Sequence, residues 1–593
     1  MKNFILGILC FTMFITGRAQ TPSLVWARSF NSTVDSIPEN TQGVAVGCDN
    51  LKNVYSFGQF TGMIDFDPGV GVYSLDAGAE TDAYVSKLDS MGNFIWARKI
   101  GNTDFTQTRD LSVDSIGNLY SVGYFSGLMD FDPGPGTHNV ASLGVNGDYF
   151  ILKLDSAGNF LWARTFGGDS SSVHKIEMDL TGNVYVVGDF SEGVVDFNPG
   201  AGVFNLTAPY GNTTGFILKL NSSGNFVWAK SFGGAAYGSL SDINSIKFDR
   251  YGNIYTTGRY YKTIDFDPSA GVSTLTSIGS SVADAEIFVL KLDSMGGFIW
   301  VKSLESNALT FSSDISVDTF GNVYTVGRFA GTLDLDPNVG VSNFVAGINS
   351  TYYVMNGFIS KLDSLGNFVW GKQLYDTLNA HFISIEVDIH GNIYTAGLFN
   401  GMVDFDLGSG IFNLNPGAVS IWSNYTFVTK FDYLGNFIWA GSMNNGASGT
   451  SYNLARSLVV NNHIYLTGDY YGTIDFDPTG GVTSFTSTFG NSSFVAKLSN
   501  TASFSSLEIN EINNDTQISI FPNPTNGSFN VFTSQQIKNG SIEIYNIIGE
   551  LIYSQKITNQ QNIIDLQNPA SGLYFVKVIN DGEVIGMKKV VKE

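Results

Sequence analysis

The sequence predicts an all-β protein made of two parts, and three observations lead to this fold class. Two different markers recur at nearly constant spacing over most of the chain. Short segments rich in Val, Ile, Phe and Tyr alternate with Gly, Asn and Asp, which is typical of β-strands joined by tight turns. No segment carries a helical pattern of eleven residues or more.

The two markers keep step with each other, which indicates an array of repeats. The first marker is a Trp with Phe or Leu two positions before it, found at Trp26, Trp96, Trp162, Trp228, Trp300, Trp370 and Trp439. The second is Asp65-Phe66-Asp67-Pro68, which recurs with small changes from Asp130, Asp196, Asp265, Asp334, Asp404 and Asp475. Seven copies of each marker predict seven repeats.

The repeat at 246–304 shows the predicted strands of one unit. We expect its strands at 246–249, 254–260, 287–293 and 298–304. The Asp-Phe-Asp-Pro loop lies between the second and third strands, and tight turns with Gly and Asn close the hairpins. Bulky and small side chains alternate along the fourth strands, so each sheet can bury both of its faces against copies of itself.

The repeat is out of phase with the chain, and this predicts a closed ring. A lone fourth strand comes first, at 24–30, and the last repeat has three strands with no Trp strand after them. If the first strand completes the last sheet, the array has no exposed end. We therefore predict a seven-bladed β-propeller over residues 21–500, closed by the N-terminal strand. The alternative is a string of separate small β domains, which gives no reason to divide one unit between the two ends.

Three segments of one repeat resemble a known family. They read Asn-Val-Tyr-x-x-Gly-x-Phe at 183–190, Phe-Ile-Leu-Lys-Leu at 216–220 and Phe-Val-Trp-Ala-Lys at 226–230. This pattern resembles the bacterial β-propeller repeat of the SBBP type, over roughly residues 21–500. The resemblance implies the propeller fold and export from the cell, and it implies no particular reaction.

A polar linker is predicted at 501–515, and a separate module follows at 516–593. Alternating apolar strands in this module predict a small Ig-like β-sandwich. Its landmarks are Phe521-Pro522-Asn523-Pro524, Ile544-Tyr545-Asn546 and Gly572-Leu573-Tyr574-Phe575. They resemble the type A sorting domain of the type IX secretion system of Bacteroidetes. That resemblance implies the type IX machinery as a partner through 516–593, and release or attachment at the cell surface. The alternative is an Ig-like adhesive domain.

The N-terminus and the composition indicate an exported protein. Lys2 and the apolar run at 4–15 predict a secretory signal peptide over residues 1–20. We predict no transmembrane segment in the mature chain, because no other apolar stretch approaches eighteen residues. Cys48 is the only cysteine beyond the signal, so no internal disulfide is predicted. With 31 Lys and Arg against 53 Asp and Glu, the net charge of −22 argues against a nucleic-acid partner.

The Asp-Phe-Asp-Pro loops are the candidate metal site, and they share one face of the predicted ring. Two carboxylates two positions apart are hard oxygen ligands of the kind that Ca²⁺ prefers. The alternative is that each Asp caps its own turn by accepting backbone N–H bonds. The candidate ligands are Asp65, Asp67, Asp130, Asp132, Asp196, Asp265, Asp267, Asp334, Asp336, Asp404, Asp406, Asp475 and Asp477, with Asn198 in the fourteenth position.

Two other residues recur in every repeat, and we expect both to be structural. The repeated Trp side chains are expected in the core. A Lys in each third strand is expected to pair with a turn Asp or to cover apolar surface with its stem. These lysines are Lys87, Lys153, Lys219, Lys291, Lys361, Lys430 and Lys497.

For catalysis the sequence offers little. The five His residues are scattered, and no nucleophile or phosphate-binding motif stands in a suitable context. We therefore predict a non-enzymatic surface or released module that binds a glycan or a protein, with a structural or adhesive surface role as a related alternative. Another alternative is a secreted polysaccharide-active hydrolase or lyase. The repeats diverge most before their third strands, which places the predicted ligand site near Trp422.

Overall fold

The computed structural model describes residues 22–32, 40–101, 105–144, 147–167, 171–279, 281–347, 354–376, 378–415, 424–443, 452–460, 463–479, 481–502, 518–533, 537, 539–546, 551–566, 572–580 and 583–592. The chain divides into two compact units, Met1–Ser503 and Phe504–Glu593. The described residues are strands, turns and loops apart from a 3-10 helix at Val282–Asp284. The prediction of an all-β protein is confirmed.

The strands of the first unit are short and follow one another through the whole array. They are β1 (Pro22–Ser32), β2 (Asn40–Cys48), β3 (Val54–Thr61), β4 (Met63–Asp65), β5 (Ser74–Asp76), β6 (Asp82–Leu88), β7 (Phe94–Ile100), β8 (Thr106–Val113), β9 (Leu119–Phe125), β10 (Leu128–Asp130), β11 (Asn139–Ala141), β12 (Asp148–Leu154), β13 (Phe160–Phe166), β14 (Ser171–Met178), β15 (Val184–Asp196), β16 (Asn205–Leu220), β17 (Phe226–Phe232), β18 (Leu240–Phe248), β19 (Ile254–Tyr261), β20 (Thr263–Asp265), β21 (Thr274–Thr276), β22 (Glu286–Leu292), β23 (Phe298–Leu304), β24 (Thr310–Val317), β25 (Val323–Phe329), β26 (Thr332–Asp334), β27 (Asn343–Val345), β28 (Met355–Leu362), β29 (Phe368–Leu374), β30 (Asn379–Val387), β31 (Ile393–Phe399), β32 (Val403–Asp404), β33 (Asn413–Leu414), β34 (Tyr425–Phe431), β35 (Phe437–Met443), β36 (Tyr452–Val460), β37 (His463–Asp475) and β38 (Ser484–Ala502).

Antiparallel pairing arranges these strands in groups of four, each matching one sequence repeat. The groups in the described residues are β2–β3–β6–β7, β8–β9–β12–β13, β14–β15–β16–β17, β18–β19–β22–β23, β24–β25–β28–β29, β30–β31–β34–β35 and β36–β37–β38–β1. We call these groups 1 to 7 in this order. In group 7 the N-terminal strand β1 pairs antiparallel with β38, from Pro22 opposite Ala502 to Phe30 opposite Ser493.

The first strands of the groups contact one another in a cycle. β2 contacts β8, β8 contacts β14, and the series continues through β18, β24, β30 and β36 back to β2. The first strands therefore surround a common axis. Each begins at the face that carries the Asp-Phe-Asp-Pro loops, which we call the loop face. Five of them, β8, β14, β18, β24 and β30, end in an Asp-x-x-Gly-Asn turn at the opposite face, which we call the turn face, and β2 ends there in Asp49–Asn53 with Lys52 in the Gly position.

Between the second and third strands of each group, the chain makes a small hairpin that the sequence does not predict. In group 1 this hairpin is β4 with β5, and Asp65 to Pro68 form part of its turn. The Phe of the motif is fully buried beneath it and fixes the hairpin to the core. The buried residues at this position are Phe66, Phe131, Phe197, Phe266, Leu335, Phe405 and Phe476.

The first strands are longer than the sequence predicts. We expect the first strand of the 246–304 repeat at 246–249, whereas β18 begins at Leu240. A bulge between Ile243 and Ser245 shifts the pairing with β19 and interrupts the two-residue alternation on which the prediction depends. The same irregularity occurs in the first strand of every group, as at Thr108/Asp110 and Ser312/Asp314.

The second unit contains two sheets. Its strands are β39 (Ile518–Phe521), β40 (Ser528–Thr533), β41 (Gly540–Asn546), β42 (Leu551–Lys556), β43 (Gln561–Asp565), β44 (Gly572–Asn580) and β45 (Glu583–Lys592). One sheet has the order β39–β40–β43 and the other β42–β41–β44–β45. Apolar residues of both sheets, including Val531, Ile544 and Val576, form one buried core.

Among the described residues, no helix is long and apolar enough to cross a membrane.

Candidate functional site

The Asp-Phe-Asp-Pro loops are capped by their own carboxylates. Asp65 Oδ1 accepts hydrogen bonds from the backbone N–H groups of Asp67, at 3.0 Å, and Tyr73, at 2.8 Å. Asp67 Oδ1 accepts a hydrogen bond from the N–H of Gly69 at 2.8 Å. Two carboxylates therefore hold the turn closed in the way that Asp side chains commonly do.

The same contacts recur in all the loops. The first carboxylate accepts two backbone N–H bonds at Asp65, Asp130, Asp196, Asp265, Asp334, Asp404 and Asp475. The second position accepts one at Asp67, Asp132, Asn198, Asp267, Asp336, Asp406 and Asp477. In the described part of the chain, no group of three or more His, Cys, Asp or Glu could hold a metal ion. The contacts match the turn-capping alternative, and Ca²⁺ binding stays a prediction.

The repeated lysines join each group to the next. Lys87 Nζ lies 4.8 Å from the ring centroid of Tyr55 and donates to the carbonyl oxygen of Ser156, in the following group, at 2.8 Å. It also lies 4.0 Å from Asp49 Oδ2, the pairing with a turn Asp that the sequence predicts. Each of the other lysines stacks on the equivalent Tyr in its own group, in the pairs Lys153–Tyr120, Lys219–Tyr185, Lys291–Tyr255, Lys361–Tyr324, Lys430–Tyr394 and Lys497–Tyr465. These contacts are structural.

Side chains from the first strands meet on the axis. Lys175 Nζ, in group 3, lies 3.3 Å from Asp314 Oδ1, in group 5. Lys247 Nζ, in group 4, lies 3.0 Å from Glu177 Oε2 in group 3 and 2.8 Å from Glu386 Oε1 in group 6. Two of these ion pairs, Lys175–Asp314 and Lys247–Glu386, join groups that are not neighbours, so their side chains cross the axis. We call Lys175, Glu177, Lys247, Asp314 and Glu386 the axial cluster.

The axial cluster has well-satisfied polar groups. Asp314 accepts hydrogen bonds from Ser245 Oγ at 2.7 Å and from Ser384 Oγ and the N–H of Ile385, both at 3.1 Å. Ser112 Oγ donates to Glu177 Oε1 at 3.0 Å. A network with this many partners supports a fixed arrangement rather than a mobile acid or base.

Charge and burial move the pKa values of the cluster in different directions. Burial lowers the pKa of Lys247, but the Glu177 and Glu386 carboxylates outweigh burial and hold that pKa well above its usual range. Burial raises the pKa of Glu177, but Lys247, the Met178 N–H and Lys175 together outweigh burial and the net pKa is lowered. For Glu386 burial dominates and raises the pKa. Next to the cluster, burial raises the pKa of Asp110 to about 6.

Toward the loop face, the axis opens into a ring of polar side chains that we call the mouth. His174 Nε2 lies 2.7 Å from Asp189 Oδ1, and Arg456 Nε donates to Asp469 Oδ1 at 2.8 Å. Arg259 donates to Asp242 Oδ2 from Nε at 3.0 Å and from NH2 at 2.7 Å.

Between groups 1 and 7, the mouth contains a cavity of about 270 Å³. Within it, Gln59 Nε2 donates to Gln42 Oε1 at 3.2 Å. The polar residues that line it all carry amide or hydroxyl side chains, and its lining residues are Asn40, Thr41, Gln42, Gln59, Phe60, Thr61, Thr81 and Asn491. Amides and hydroxyls can both donate and accept hydrogen bonds, so this surface suits a neutral polar ligand.

The sequence does not predict the axial and mouth residues, although a signal for them exists. The axial residues occupy two equivalent positions of the first strands: Lys175 and Asp314 stand directly after the bulge, and Glu177, Lys247 and Glu386 stand two residues later. Unlike the Trp and Lys positions, these two positions do not carry one residue type through the array. Aligning the first strands through the bulge finds them. Trp422, the predicted ligand residue, lies outside the described residues.

Two segments of the chain match family models. Residues 519–593 match the model described as "Secretion system C-terminal sorting domain". Residues 299–328 match the model described as "Beta-propeller repeat", the SBBP type. The second match covers β23 and β24 and ends within β25, which together contain the Trp marker and the start of the next repeat.

Similarity to individual proteins is weaker. The chain is 23% identical over 514 residues to an uncharacterised WD repeat-containing protein, L264, of Acanthamoeba polyphaga mimivirus, covering 74% of this chain and 36% of the relative. The chain thus spans about a third of that relative's length. Among solved structures, PorZ, a surface component of the type IX secretion system of Porphyromonas gingivalis, is 12% identical, with 93% and 82% of the two chains covered and a TM-score of 0.23. A protein of unknown function from Dyadobacter fermentans is 10% identical, with 80% and 99% covered and a TM-score of 0.29.

The two family matches confirm both resemblances that the sequence motifs predict. A C-terminal sorting domain implies the type IX secretion machinery as a partner of this part of the chain. The protein therefore carries β-propeller repeats of the SBBP type and a type IX sorting domain, and it is a secreted or outer-membrane cell-surface protein.

Proposed function

We propose that the protein is a non-enzymatic, surface-displayed or released module that binds an extracellular glycan at the mouth of its axis. The observation that carries the proposal is the loss of repeat symmetry at the mouth. The loop carboxylates and the Lys–Tyr contacts recur in each group, as expected for structural residues, whereas the mouth residues differ from group to group. A single ligand site needs such asymmetry.

A glycan is supported by the character of the cavity at the mouth. Gln42, Gln59, Asn40 and Asn491 line it with amide side chains, and no charged residue is among its lining residues. Sugar hydroxyls pair well with amides, which donate and accept at the same time. The volume of about 270 Å³ is close to the lower end, roughly 300 Å³, of small-molecule sites. One sugar unit of a longer chain fits this size.

The non-enzymatic part of the proposal is supported by the axial cluster. A glycoside hydrolase needs a proton donor and a second carboxylate that are free to act on substrate. Here Lys247 pairs with both Glu177 and Glu386, and Asp314 accepts three hydrogen bonds besides its Lys175 contact. The alternative function, a polysaccharide hydrolase or lyase, would show itself in the glycan experiment as release of shorter oligosaccharides.

The proposal includes the finer architecture. We propose that the seven groups are the blades of a closed β-propeller completed by β1, and that the second unit is an Ig-like β-sandwich. Support for closure comes from the pairing of β1 with β38 and from the cycle of first strands. Support for the sandwich comes from the two sheets that share one core.

A glycan-array screen of the full chain tests the function. We expect binding to polar glycans and no release of shorter products. The double variant Gln42→Ala with Gln59→Ala should lose binding while it stays folded at the assay temperature, and Arg250→Ala, at the turn face, should keep binding. Absence of glycan binding, or equal loss in both variants, would contradict the proposal. Release of shorter oligosaccharides would favour the hydrolase or lyase instead.

A further inference from the structure

Two cations at the mouth, Arg109 at the bulge of β8 and Arg328, form no ion pair among the described residues, and Arg328 is the less exposed of the two. Arg328, in β25, has no Asp or Glu within ion-pair distance among the described residues. Its side chain donates one hydrogen bond, from NH1 to His381 Nε2 at 3.4 Å, so its Nε and NH2 donors have no partner in the described part of the chain. The side chain is only partly exposed.

The neighbouring cations differ from Arg328. Arg259 forms a two-bond pair with Asp242, and Arg456 pairs with Asp469. Both Arg259 and Arg328 lie over the ring of Phe311, with their central carbons 4.5 and 4.8 Å from its centroid. Two guanidinium groups therefore share one aromatic ring, and the Asp242 carboxylate pairs with Arg259 alone. This leaves one positive charge uncompensated in a chain whose net charge is −22.

His381 fixes the orientation of Arg328. An arginine N–H can only donate, so His381 Nε2 must accept and is unprotonated. Burial and then the Arg328 charge lower the pKa of His381 to about 3, which keeps the imidazole neutral. His381 therefore adds no negative charge. It acts as a positioning residue for the Arg328 side chain, whose Nε and NH2 donors stay available.

An uncompensated guanidinium in this position is unfavourable. Burial and the nearby Arg259 charge lower the pKa of Arg328. A bound anion would offset both effects on the pKa of Arg328, because a negative partner favours the charged form. Arginine pairs with a carboxylate through two parallel hydrogen bonds and stacks on aromatic rings, and both properties hold such a contact in one geometry.

We propose that Arg328, stacked on Phe311 and oriented by His381, binds the carboxylate of an acidic sugar unit in an extracellular polysaccharide. The inference rests on the proposed glycan-binding function and adds the substrate class. The planar fork of Arg328 matches the two oxygens of a carboxylate. The neutral amide cavity of the same mouth would bind hydroxyl groups of the sugar chain.

Calorimetric titration of the full chain tests the inference with three oligosaccharides of equal length. One ends in glucuronate, one in glucose and one in a sulfated glucose. We expect the glucuronate ligand to bind about tenfold more tightly than the glucose ligand. Arg328→Gln should abolish this preference and leave the affinity for the glucose ligand unchanged. Arg328→Lys should keep only part of it, because lysine cannot form the two-bond fork.

Arg98→Gln is the matched control, because this variant also removes one positive charge. Arg98 stacks on Trp96 at the outer part of group 1. The preference of Arg98→Gln should equal that of the parent. Binding of glucose without an acid preference, a preference that survives in Arg328→Gln, or tighter binding of the sulfated ligand would each overturn the inference alone. Failure of all three ligands to bind would overturn the proposed function. If Arg328→Gln does not fold, the Arg328→Lys result decides, and an undiminished preference there overturns the inference.

Discussion

Lys497 donates a hydrogen bond from Nζ to the carbonyl oxygen of Ser90 at 2.8 Å, although 407 residues separate them in sequence. Lys497 lies in β38 of group 7, and Ser90 lies in a hairpin turn of group 1. The same contact joins Lys291 to Ser364, in neighbouring groups of the array, at 3.0 Å. The last and first groups of the array are therefore joined by the same hydrogen bond, from a lysine Nζ to a turn carbonyl oxygen, that joins neighbouring groups in its interior.

Lys497→Met should lower the free energy of unfolding by about 1–3 kcal/mol, because it removes a charge-assisted hydrogen bond and the stacking on Tyr465. Urea denaturation followed by tryptophan fluorescence measures the change. Lys291→Met is the matched control and should lose a similar amount. A loss for Lys291→Met with none for Lys497→Met would mean that the two ends do not meet in solution.

Asp67→Asn should change the stability by less than about 0.5 kcal/mol, since Asn198 makes the equivalent hydrogen bond, to Gly200, at 2.9 Å. Asp65→Ala should cost about 1 kcal/mol, because two backbone N–H groups lose their acceptor. Thermal melting with calcium and with chelator measures both variants and tests the metal prediction. A midpoint that calcium raises in the parent but not in Asp67→Asn would support a metal site; identical midpoints would leave turn capping as the role of these residues.

Asp110→Asn should stabilise the protein at pH 8 and have no such effect near pH 4. Burial raises the pKa of Asp110 from 3.8 to about 6 in the folded state. A raised carboxyl pKa contributes stability below about pH 4, and that contribution is lost as the pH rises through about 6. Asn removes the penalty and can still accept the hydrogen bond from the Ile176 N–H. We expect a gain of about 1–3 kcal/mol at pH 8 in urea titrations. A gain that does not depend on pH would contradict this pKa.

Trp422→Ala should weaken glycan binding if the long approach to the third strand of group 6 reaches the ligand. Aromatic side chains exposed at a binding surface stack on apolar faces of a ligand and contribute strongly to its affinity. The measurement is the dissociation constant for the best glycan from the array screen. An unchanged constant for every bound glycan would exclude Trp422 from the site and leave the mouth residues.

A chain that ends at residue 502 should keep the melting temperature of the first unit and accumulate inside the outer membrane. The chain divides into two compact units at residue 503, and residues 519–593 carry the sorting match. Immunoblotting of periplasm, cell surface and medium measures the location. Normal surface delivery of the shortened chain would contradict the assignment of the sorting signal to this unit.

The sequence predicted those features that recur. The Trp and Asp-Phe-Asp-Pro markers located the strands, and the unpaired strand at 24–30 predicted the pairing of β1 with β38. Periodicity works here because a structural position needs the same side chain in every repeat. The small hairpins such as β4–β5 were not predicted, because strands of three residues are too short to show a recognisable alternation of apolar and polar side chains.

The candidate site could not be predicted in the same way. Lys247, Glu177 and Glu386 are far apart in sequence and come together only because their strands surround one axis. Each looks like an ordinary polar residue on the exposed side of a strand. Arg328 is harder to predict from the sequence than these three residues, because its distinguishing property is the lack of a carboxylate partner in the described residues. That property depends on three-dimensional neighbours rather than on a motif.

The pairing of β1 with β38 has a consequence for biogenesis. Ser23 and Ser499, which are hydrogen-bonded across this pair, are 476 residues apart. A polypeptide that emerges from a translocation pore with its N-terminus first presents β1 long before its partner exists. We expect β1 to remain unpaired, with free backbone N–H and C=O groups, until the last repeat has emerged. Any product truncated upstream of β38 therefore keeps an unpaired strand edge that proteases and chaperones can recognise.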